Sequence, residues 1–147
     1  MPSIRGYNFP PDLLYDVPNH CWYRREADGS VTLGMTEIAV ALAGDILAYT
    51  PKRVGLAVEP GRSCAVIESG KWVGPVRAAI AGDIIAINEA LIDTPRLANQ
   101  SPYGAGWITR LRPHHPPDLD ILASGDAVAV AYSAWMAAED FPPRDET

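Results

Sequence analysis

The 147-residue chain has few lysines, few cysteines and no long apolar run. Its twelve basic residues are ten arginines and only two lysines, Lys52 and Lys71. Two cysteines, Cys21 and Cys64, are too few for a disulfide framework, and no C-x-x-C motif occurs. No apolar run approaches the roughly 18 residues that a membrane-spanning helix needs. These shortages exclude a disulfide-stapled scaffold and a membrane-spanning protein.

Basic residues are also fewer than acidic ones. Twelve Lys and Arg against eighteen Asp and Glu give a formal net charge of −6. An acidic domain is a poor ligand for the phosphate backbone of nucleic acids, and it suits protein partners with basic docking surfaces. Arg5 is the sole charge among the first eleven residues, and no apolar stretch follows it. We therefore expect no signal peptide and a cytoplasmic protein.

The length suits one domain with a single core. Four prolines precede residue 20, and because proline lacks a backbone donor and fixes φ, they predict an extended arm over 1–19. We expect the folded domain at 20–141 and a short tail at 142–147.

The local signals near the start of this domain alternate between strand and helix. An Asp-Gly turn between two β-rich runs predicts a hairpin over 21–34. Thr36 is a suitable N-cap for a short helix over 36–42. A strand is expected at 46–50, after the glycine that ends this helix.

Further along the chain, short β-branched runs are separated by glycine and proline over 54–91. This spacing predicts many short strands and a mainly β fold, either a sandwich or a flattened barrel. A short helix interrupted by proline is expected at 89–97, and a strand at 106–111. The alanine-rich stretch 124–139 predicts a C-terminal helix, one face of which carries Val128, Tyr132 and Trp135.

Lys71 lies beside Gly70 between two apolar, strand-like runs. This context predicts a hairpin tip with the lysine amine in water, where a lysine suits the attachment of a carried group. An ordinary solvated surface lysine is the plain alternative. A catalytic nucleophile or Schiff-base lysine is disfavoured, because such a group needs a desolvated amine with a lowered pKa.

Spaced residues on both sides of Lys71 form one pattern. Nearest the lysine it consists of Val54-Gly55, Gly61, Ala65-Val66-Ile67-Glu68-Ser69, Gly82 and Asn88-Glu89-Ala90-Leu91. Upstream it includes His20, Trp22, Val31-Thr32, Gly34, Thr36, Leu42 and Gly44-Asp45-Ile46. Downstream it includes Asp93, Pro95, Leu97, Asn99, Pro102-Tyr103-Gly104 and Gly106-Trp107. The pattern resembles the glycine cleavage system H proteins, and the match around the lysine has no gap.

This resemblance implies a hammerhead-type lipoyl/biotinyl β-sandwich with helices at its ends. It also implies lipoic acid joined by an amide to Nζ of Lys71, and a carrier that is not an enzyme by itself. Glu68, Ser69, Gly70 and Trp72 are expected to form and present the hairpin tip, and Gly82 is the family's glycine eleven residues after the lysine. Biotin is disfavoured, because its domains have methionine on both sides of the lysine.

The sequence departs from the family at two acidic positions. H proteins have Glu where this chain has Cys21, and Asp where it has Pro75; in the family both acids line the cleft that shelters a protonated aminomethyl group. An unpaired buried cation is costly. We therefore expect Cys21 and Pro75 to line the resting cleft of the arm, and the arm to carry something other than an amine.

Two pathways follow from this difference. The favoured one is cytoplasmic oxidation of sulfur compounds, because the hairpin resembles lipoate-binding H-like proteins that serve a heterodisulfide-reductase-like complex. The alternative is glycine cleavage, with glycine decarboxylase as the partner and the two departures as neutral drift. Dihydrolipoamide dehydrogenase, and lipoate ligase or other lipoyl-attaching enzymes, are the further expected partners.

Several side chains keep more than one interpretation. Cys21 either lines the cleft or exchanges with the dithiolane, and the first is favoured, because a reactive thiol needs a lowered pKa. Trp72 either docks a partner or folds onto the domain's own surface. Cys64 is expected in the core. The His114-His115 pair is expected on an exposed loop, and no metal site is predicted. A degenerate relative without lipoate is disfavoured by the retained Glu68, Lys71 and Gly82.

Overall fold

A computed structural model describes residues 3–141 and shows a mainly β fold with four α-helices in that range. The strands are β1 (Ser3–Ile4), β2 (Tyr7–Asn8), β3 (Leu14–Asp16), β4 (Cys21–Arg25), β5 (Val31–Met35), β6 (Ile46–Pro51), β7 (Ala57–Val58), β8 (Ser63–Ser69), β9 (Val73–Arg77), β10 (Gly82–Ile87) and β11 (Thr109–Pro113). The helices are α1 (Glu37–Ala43), α2 (Glu89–Asp93), α3 (Leu97–Gln100) and α4 (Asp126–Ala138), with a 3₁₀ helix at Pro116–Ile121.

The strands form two main antiparallel sheets. Six strands pair in the order β3-β4-β5-β11-β10-β7, and three pair in the order β6-β8-β9. Strands β1 and β2 form a separate two-stranded ribbon. The predicted β-sandwich with a C-terminal helix is therefore confirmed, as a flattened sandwich rather than a closed barrel.

The principal core contains residues of both sheets. Leu33, Ile67 and Ile84 are fully buried in it, and Cys64 is at 0% exposure, as expected of a core residue. A second, largely aromatic cluster joins the N-terminal segment to α4. It contains Tyr7, Phe9, Tyr15, Trp22, Tyr132 and Phe141.

Residues 3–19 are packed against the rest of the domain and so differ from the predicted extended arm. Strand β3 pairs with β4 in the six-stranded sheet, and Tyr15 exchanges two backbone hydrogen bonds with Ala123, at 2.9 and 2.8 Å. Tyr7 and Phe9 are buried against α4. The prolines interrupt regular pairing, but the aromatic residues between them fix the segment by burial. The predicted tail at 142–147 lies outside the described residues.

The helices follow the local signals, with small changes of boundary. Thr36 caps α1, where its Oγ1 accepts a hydrogen bond from Ala39 N at 3.2 Å. The helix expected at 89–97 is two short helices, α2 and α3, separated by the segment that contains Pro95. The strand expected at 106–111 begins later, at Thr109. In α4 the fully buried residues include Met136, whereas Trp135 is half-buried.

Candidate functional site

Lys71 lies at the tip of the hairpin that joins β8 to β9. Ser69 N donates to Trp72 O at 2.7 Å, which leaves Gly70 and Lys71 as the two residues of the turn. The Lys71 side chain is exposed. The structure therefore places this lysine as the sequence predicts, on a tight turn at the end of a sheet.

The residues around the tip have different roles. Ser69 is buried at 6% exposure, and its Oγ accepts from Lys71 N at 3.4 Å and lies 3.3 Å from Trp72 O. Glu68 is exposed and pairs with Val73 across the hairpin. Gly70 does not have a positive φ, and a Cβ atom there would meet nothing within 4 Å. Gly70 therefore forms part of the turn as expected, although its backbone conformation does not require glycine.

The glycine that does matter for Lys71 is Gly44, the residue that ends α1. Its φ of 82° and ψ of −160° suit glycine alone. A Cβ atom there would lie 3.1 Å from Lys71 Cε and 3.8 Å from Nζ. The lysine side chain thus extends over the C-terminal end of α1, where the helix dipole favours a cation.

A cleft of about 330 Å³ lies beside the hairpin. One wall comes from the segment before β4, through Pro18, Asn19 and His20. A second comes from the end of β5 and from α1, through Met35, Ala39, Leu42 and Ala43. The third follows β9, through Trp72, Pro75, Val76 and Arg77. These residues are hereafter called the cleft.

Trp72 and Pro75 both lie in the cleft wall. The indole of Trp72 covers Gly74 so closely that a Cβ atom at Gly74 would overlap the ring. Trp72 as a whole is 40% exposed. Of the two interpretations left open by the sequence, the structure shows the one in which Trp72 folds onto the domain's own surface.

Cys21 does not line the cleft, and this expectation is corrected. Its side chain is 2% exposed and packs in the principal core, with Sγ 3.5 Å from Asn19 O. The reason lies one residue earlier: His20 has a φ of 54°, so the chain turns there before it enters the sheet. Burial raises the pKa of the Cys21 thiol well above its usual value, which also opposes a redox-active thiol.

Gly82 does not lie at the hairpin tip either. It opens β10 in the six-stranded sheet, and the whole of β9 separates it from Lys71. A Cβ atom at Gly82 would lie 2.8 Å from Arg112 O, so this glycine permits close pairing between β10 and β11. Its fixed spacing from the lysine reflects the sandwich rather than the site.

His20 is a cleft residue that belongs to the sequence pattern but was not predicted as part of the site. Its ring meets Trp135 edge-on at 4.6 Å between centroids, and its Nδ1 lies 3.5 Å from the Tyr132 hydroxyl. Thr36 N donates to the His20 carbonyl at 3.1 Å. Burial lowers the pKa of the imidazole, so the ring is mostly neutral at pH 7. Helix α4 and the α1 cap together hold this ring at the cleft.

Arg77 is the second cleft residue that was not predicted as part of the site, although its spacing from Pro75 could have indicated it. Residues two apart on a strand face the same side, so Arg77 shares a face of β9 with Pro75. Its Nη1 donates to Gly61 O at 2.8 Å. No carboxylate occurs among the cleft residues, and Pro75 is the one of the two predicted departures from the family that lies there.

Other candidate sites are unremarkable in the part of the chain that the structure covers. The exposed His114 and His115 each contact one carboxylate, Asp83 at 2.9 Å and Asp118 at 3.0 Å. Within residues 3–141 there is no group of three or more His, Cys, Asp or Glu that could hold a metal. No helix in that range is long and apolar enough to cross a membrane.

Comparison with known proteins decides what this arrangement is. The family model described as glycine cleavage H-protein matches residues 13–134. The chain belongs to the glycine cleavage H-protein family. H proteins are non-catalytic carriers that bear lipoate on a lysine, so this chain is a carrier component and not an enzyme.

The relatives of this H-family chain match it over most of its length. Glycine cleavage system H protein 5 of Aquifex aeolicus (strain VF5) is 46% identical over 146 residues, which cover 97% of this chain and 93% of that protein. The glycine cleavage system H protein of Halorhodospira halophila (strain DSM 244 / SL1) is 43% identical, covering 88% of this chain and 96% of that protein. The crystal structure of a glycine cleavage system H protein from Mycobacterium marinum superposes with a TM-score of 0.70 at 31% identity, covering 86% of this chain and 98% of that one.

Proposed function

We propose that this chain carries lipoate as an amide on Nζ of Lys71 and moves a thiol-bound intermediate between partner enzymes. One observation carries the proposal: an exposed lysine on a two-residue turn beside a largely apolar cleft, in a member of the H-protein family. When bound, lipoate supplies a dithiolane that accepts and releases a carried group.

The residues of the cleft fit such an arm. Trp72, Met35 and Leu42 offer apolar and aromatic surface, and sulfur packs favourably against aromatic rings. Gly44 leaves room for the lysine stem. Glu68 and Ser69 flank the lysine on β8, where we propose that lipoate ligase or other lipoyl-attaching enzymes recognise them.

Glycine cleavage, which the sequence pattern left as the alternative, is now the better supported candidate pathway. Its support is the family itself and the relatives of A. aeolicus and H. halophila, which are named as glycine cleavage system H proteins. In this pathway the arm carries the aminomethyl group, and the partners are glycine decarboxylase and dihydrolipoamide dehydrogenase.

The oxidation of sulfur compounds is the second candidate, with a heterodisulfide-reductase-like complex as partner. The observation that favours it is the composition of the cleft: none of its residues is acidic, and Pro75 stands where the family's Asp is expected. A protonated amine therefore finds no counter-charge among the residues that would shelter it.

Glycine–bicarbonate exchange with glycine decarboxylase separates the two pathways. Lipoylated protein should be compared with a lipoylated H protein that is known to serve the same decarboxylase, at equal concentrations. Comparable exchange would establish glycine cleavage. Exchange no faster than that of a Lys71→Ala control, from protein shown by mass to be fully lipoylated, would reject that pathway and favour the second.

A further inference from the structure

Arg77 is the one residue of the cleft that carries a full charge at neutral pH. Nine of the other ten have no ionisable side chain. The tenth is His20, whose imidazole burial keeps mostly neutral. The guanidinium donates one hydrogen bond, to Gly61 O at 2.8 Å, and forms no ion pair with the carboxylates of residues 3–141. Since a guanidinium has five N–H donors, most of its donors have no protein acceptor.

The position of Arg77 along the cleft matters as much as its charge. Trp72 lies at the end of the cleft next to Lys71, and Arg77 lies at the other end of β9. Four residue steps of about 3.3 Å separate Val73 from Arg77, or roughly 13 Å. An arm that extends from Lys71 along β9 would bring its distal end toward Arg77.

One buried carboxylate, that of Asp16, lies behind the cleft wall. Asp16 is buried at 8% exposure and accepts a hydrogen bond from the side chain of Asn19 at 2.8 Å. Asn19 faces the cleft, and Asp16 is not among the cleft residues. The polar side chains of the cleft residues therefore include an amide, a mostly neutral imidazole and a guanidinium, and no carboxylate.

We propose that Arg77 makes the cleft selective for an anionic group at the end of the lipoyl arm over a cationic one. The proposal rests on the carrier function proposed for Lys71, and it defines the charge of the cargo that the cleft shelters. An anionic end group would gain a charge-assisted hydrogen bond to the guanidinium. A protonated amine would lose water, meet a like charge and find no counter-ion.

A series of three arms that differ mainly in charge tests this selectivity. Lipoylated protein is reduced and its arm thiols are alkylated with iodoacetate, iodoacetamide or 2-bromoethylamine. In each case the thiolate displaces the halide, so a carbon–sulfur bond replaces a carbon–halogen bond. The products carry carboxymethyl, carbamoylmethyl or aminoethyl groups, and intact mass confirms that the buried Cys21 and Cys64 are unmodified.

Docking of each arm is measured by NMR, from the shifts of the Trp72 indole N–H and of the Arg77 backbone amide relative to unlipoylated protein. We expect the carboxymethyl arm to dock several-fold more than the aminoethyl arm at low salt, with the carbamoylmethyl arm between them. Added salt should reduce the difference, because the guanidinium is exposed.

Three variants complete the test. Arg77→Gln should abolish the preference, Arg77→Lys should retain part of it, and Arg53→Gln, an exposed arginine outside the cleft, should leave it unchanged. A dispersed amide spectrum for Arg77→Gln shows that the variant is folded. Equal docking of the carboxymethyl and aminoethyl arms, or a preference that persists in Arg77→Gln, would overturn the proposal.

The mass measured before alkylation separates the two claims. A protein that never gains lipoate would overturn the carrier function and this selectivity with it. A fully lipoylated protein whose arm shows no charge preference would overturn the selectivity alone.

Discussion

The indole ring of Trp72 lies directly over Gly74, two residues along the same side of the hairpin. The ring needs the missing side chain at 74, because a Cβ atom there would occupy the same space as the ring. Trp72 thereby becomes a wall of the cleft beside Lys71. A glycine within a strand usually weakens it, and here the glycine provides the seat of an aromatic side chain.

Gly74→Ala should displace the ring and open the cleft. We expect the Trp72 fluorescence to shift to longer wavelength, measured as the difference from a Trp72→Phe background. The free energy of unfolding should fall by about 1–3 kcal/mol, as is usual when a packed site is overfilled. The measurements are emission spectra and urea unfolding.

Gly70→Ala is the matched control on the other side of Lys71. Its Cβ would meet nothing within 4 Å, and its φ is not positive. We expect unchanged emission and a change in unfolding free energy within about 0.5 kcal/mol, which is typical of surface sites. Equal effects of the two alanines would contradict the described seat of Trp72.

Part of this site was predictable from the sequence because local patterns determine it. The apolar runs around Gly70 predict the hairpin, and Thr36 predicts the start of α1. The assignment of Cys21 to the cleft was wrong. The direction of the Cys21 side chain depends on a left-handed φ at His20, where the chain turns before it enters β4. Such a φ is uncommon for a residue other than glycine. No sequence spacing signals it.

The N-terminal segment and Arg77 show two other limits of sequence patterns. Prolines indicate where backbone hydrogen-bond donors are missing. They do not indicate that the neighbouring Tyr7 and Phe9 are buried against a helix more than a hundred residues away. Arg77 was open to prediction from its alternation with Pro75. The alternation along β9 does not predict that α1 forms the opposite wall of the cleft. That wall meets β9 only in the folded chain.

Neither cysteine should react with thiol reagents in the native protein. Cys21 and Cys64 are free and buried, and burial raises the pKa of the Cys64 thiol to about 11. Since the thiolate is the reactive form, unlipoylated protein should show no fast reaction with an aromatic disulfide, and two thiols after denaturation. Reduced lipoylated protein should add two fast thiols. A fast native thiol that disappears in Cys21→Ser would contradict the buried position of Cys21.

His20 should make the protein less stable in mild acid. Its pKa is lowered by burial, so the unfolded chain binds this proton more readily than the folded one. The stability is complete above the unfolded-state pKa of about 6.5, and it is lost as the pH falls from there toward the lower folded-state value. The loss from one such group is at most about 1.4 kcal/mol per pH unit.

The variant that checks this is His20→Asn, because asparagine tolerates a left-handed φ better than most residues. Urea unfolding at pH 7.5 and 5.5 should show a smaller pH-dependent loss in the variant than in the wild type. The same loss in both proteins would mean that His20 is not the group responsible.

Gly44→Ala should destabilise the protein through backbone strain. The φ of 82° with ψ of −160° costs a residue with a Cβ about 1–3 kcal/mol. The contact with Lys71 Cε adds little, because the end of a lysine side chain moves easily. The double variant Gly44→Ala/Lys71→Ala should therefore be as unstable as Gly44→Ala alone, to within about 0.5 kcal/mol. Rescue by Lys71→Ala would show that crowding, and not strain, is the cause.

Covalent lipoylation of Lys71 is the central claim, and intact-mass analysis tests it most directly. The protein is produced together with a lipoate ligase and lipoic acid, and compared with Lys71→Arg and Lys52→Arg variants, which exchange each of its two lysines. We predict one lipoyl group on the wild type and on Lys52→Arg, and none on Lys71→Arg. An unmodified wild-type protein under conditions that lipoylate a known H protein, or an adduct that persists in Lys71→Arg, would contradict the account.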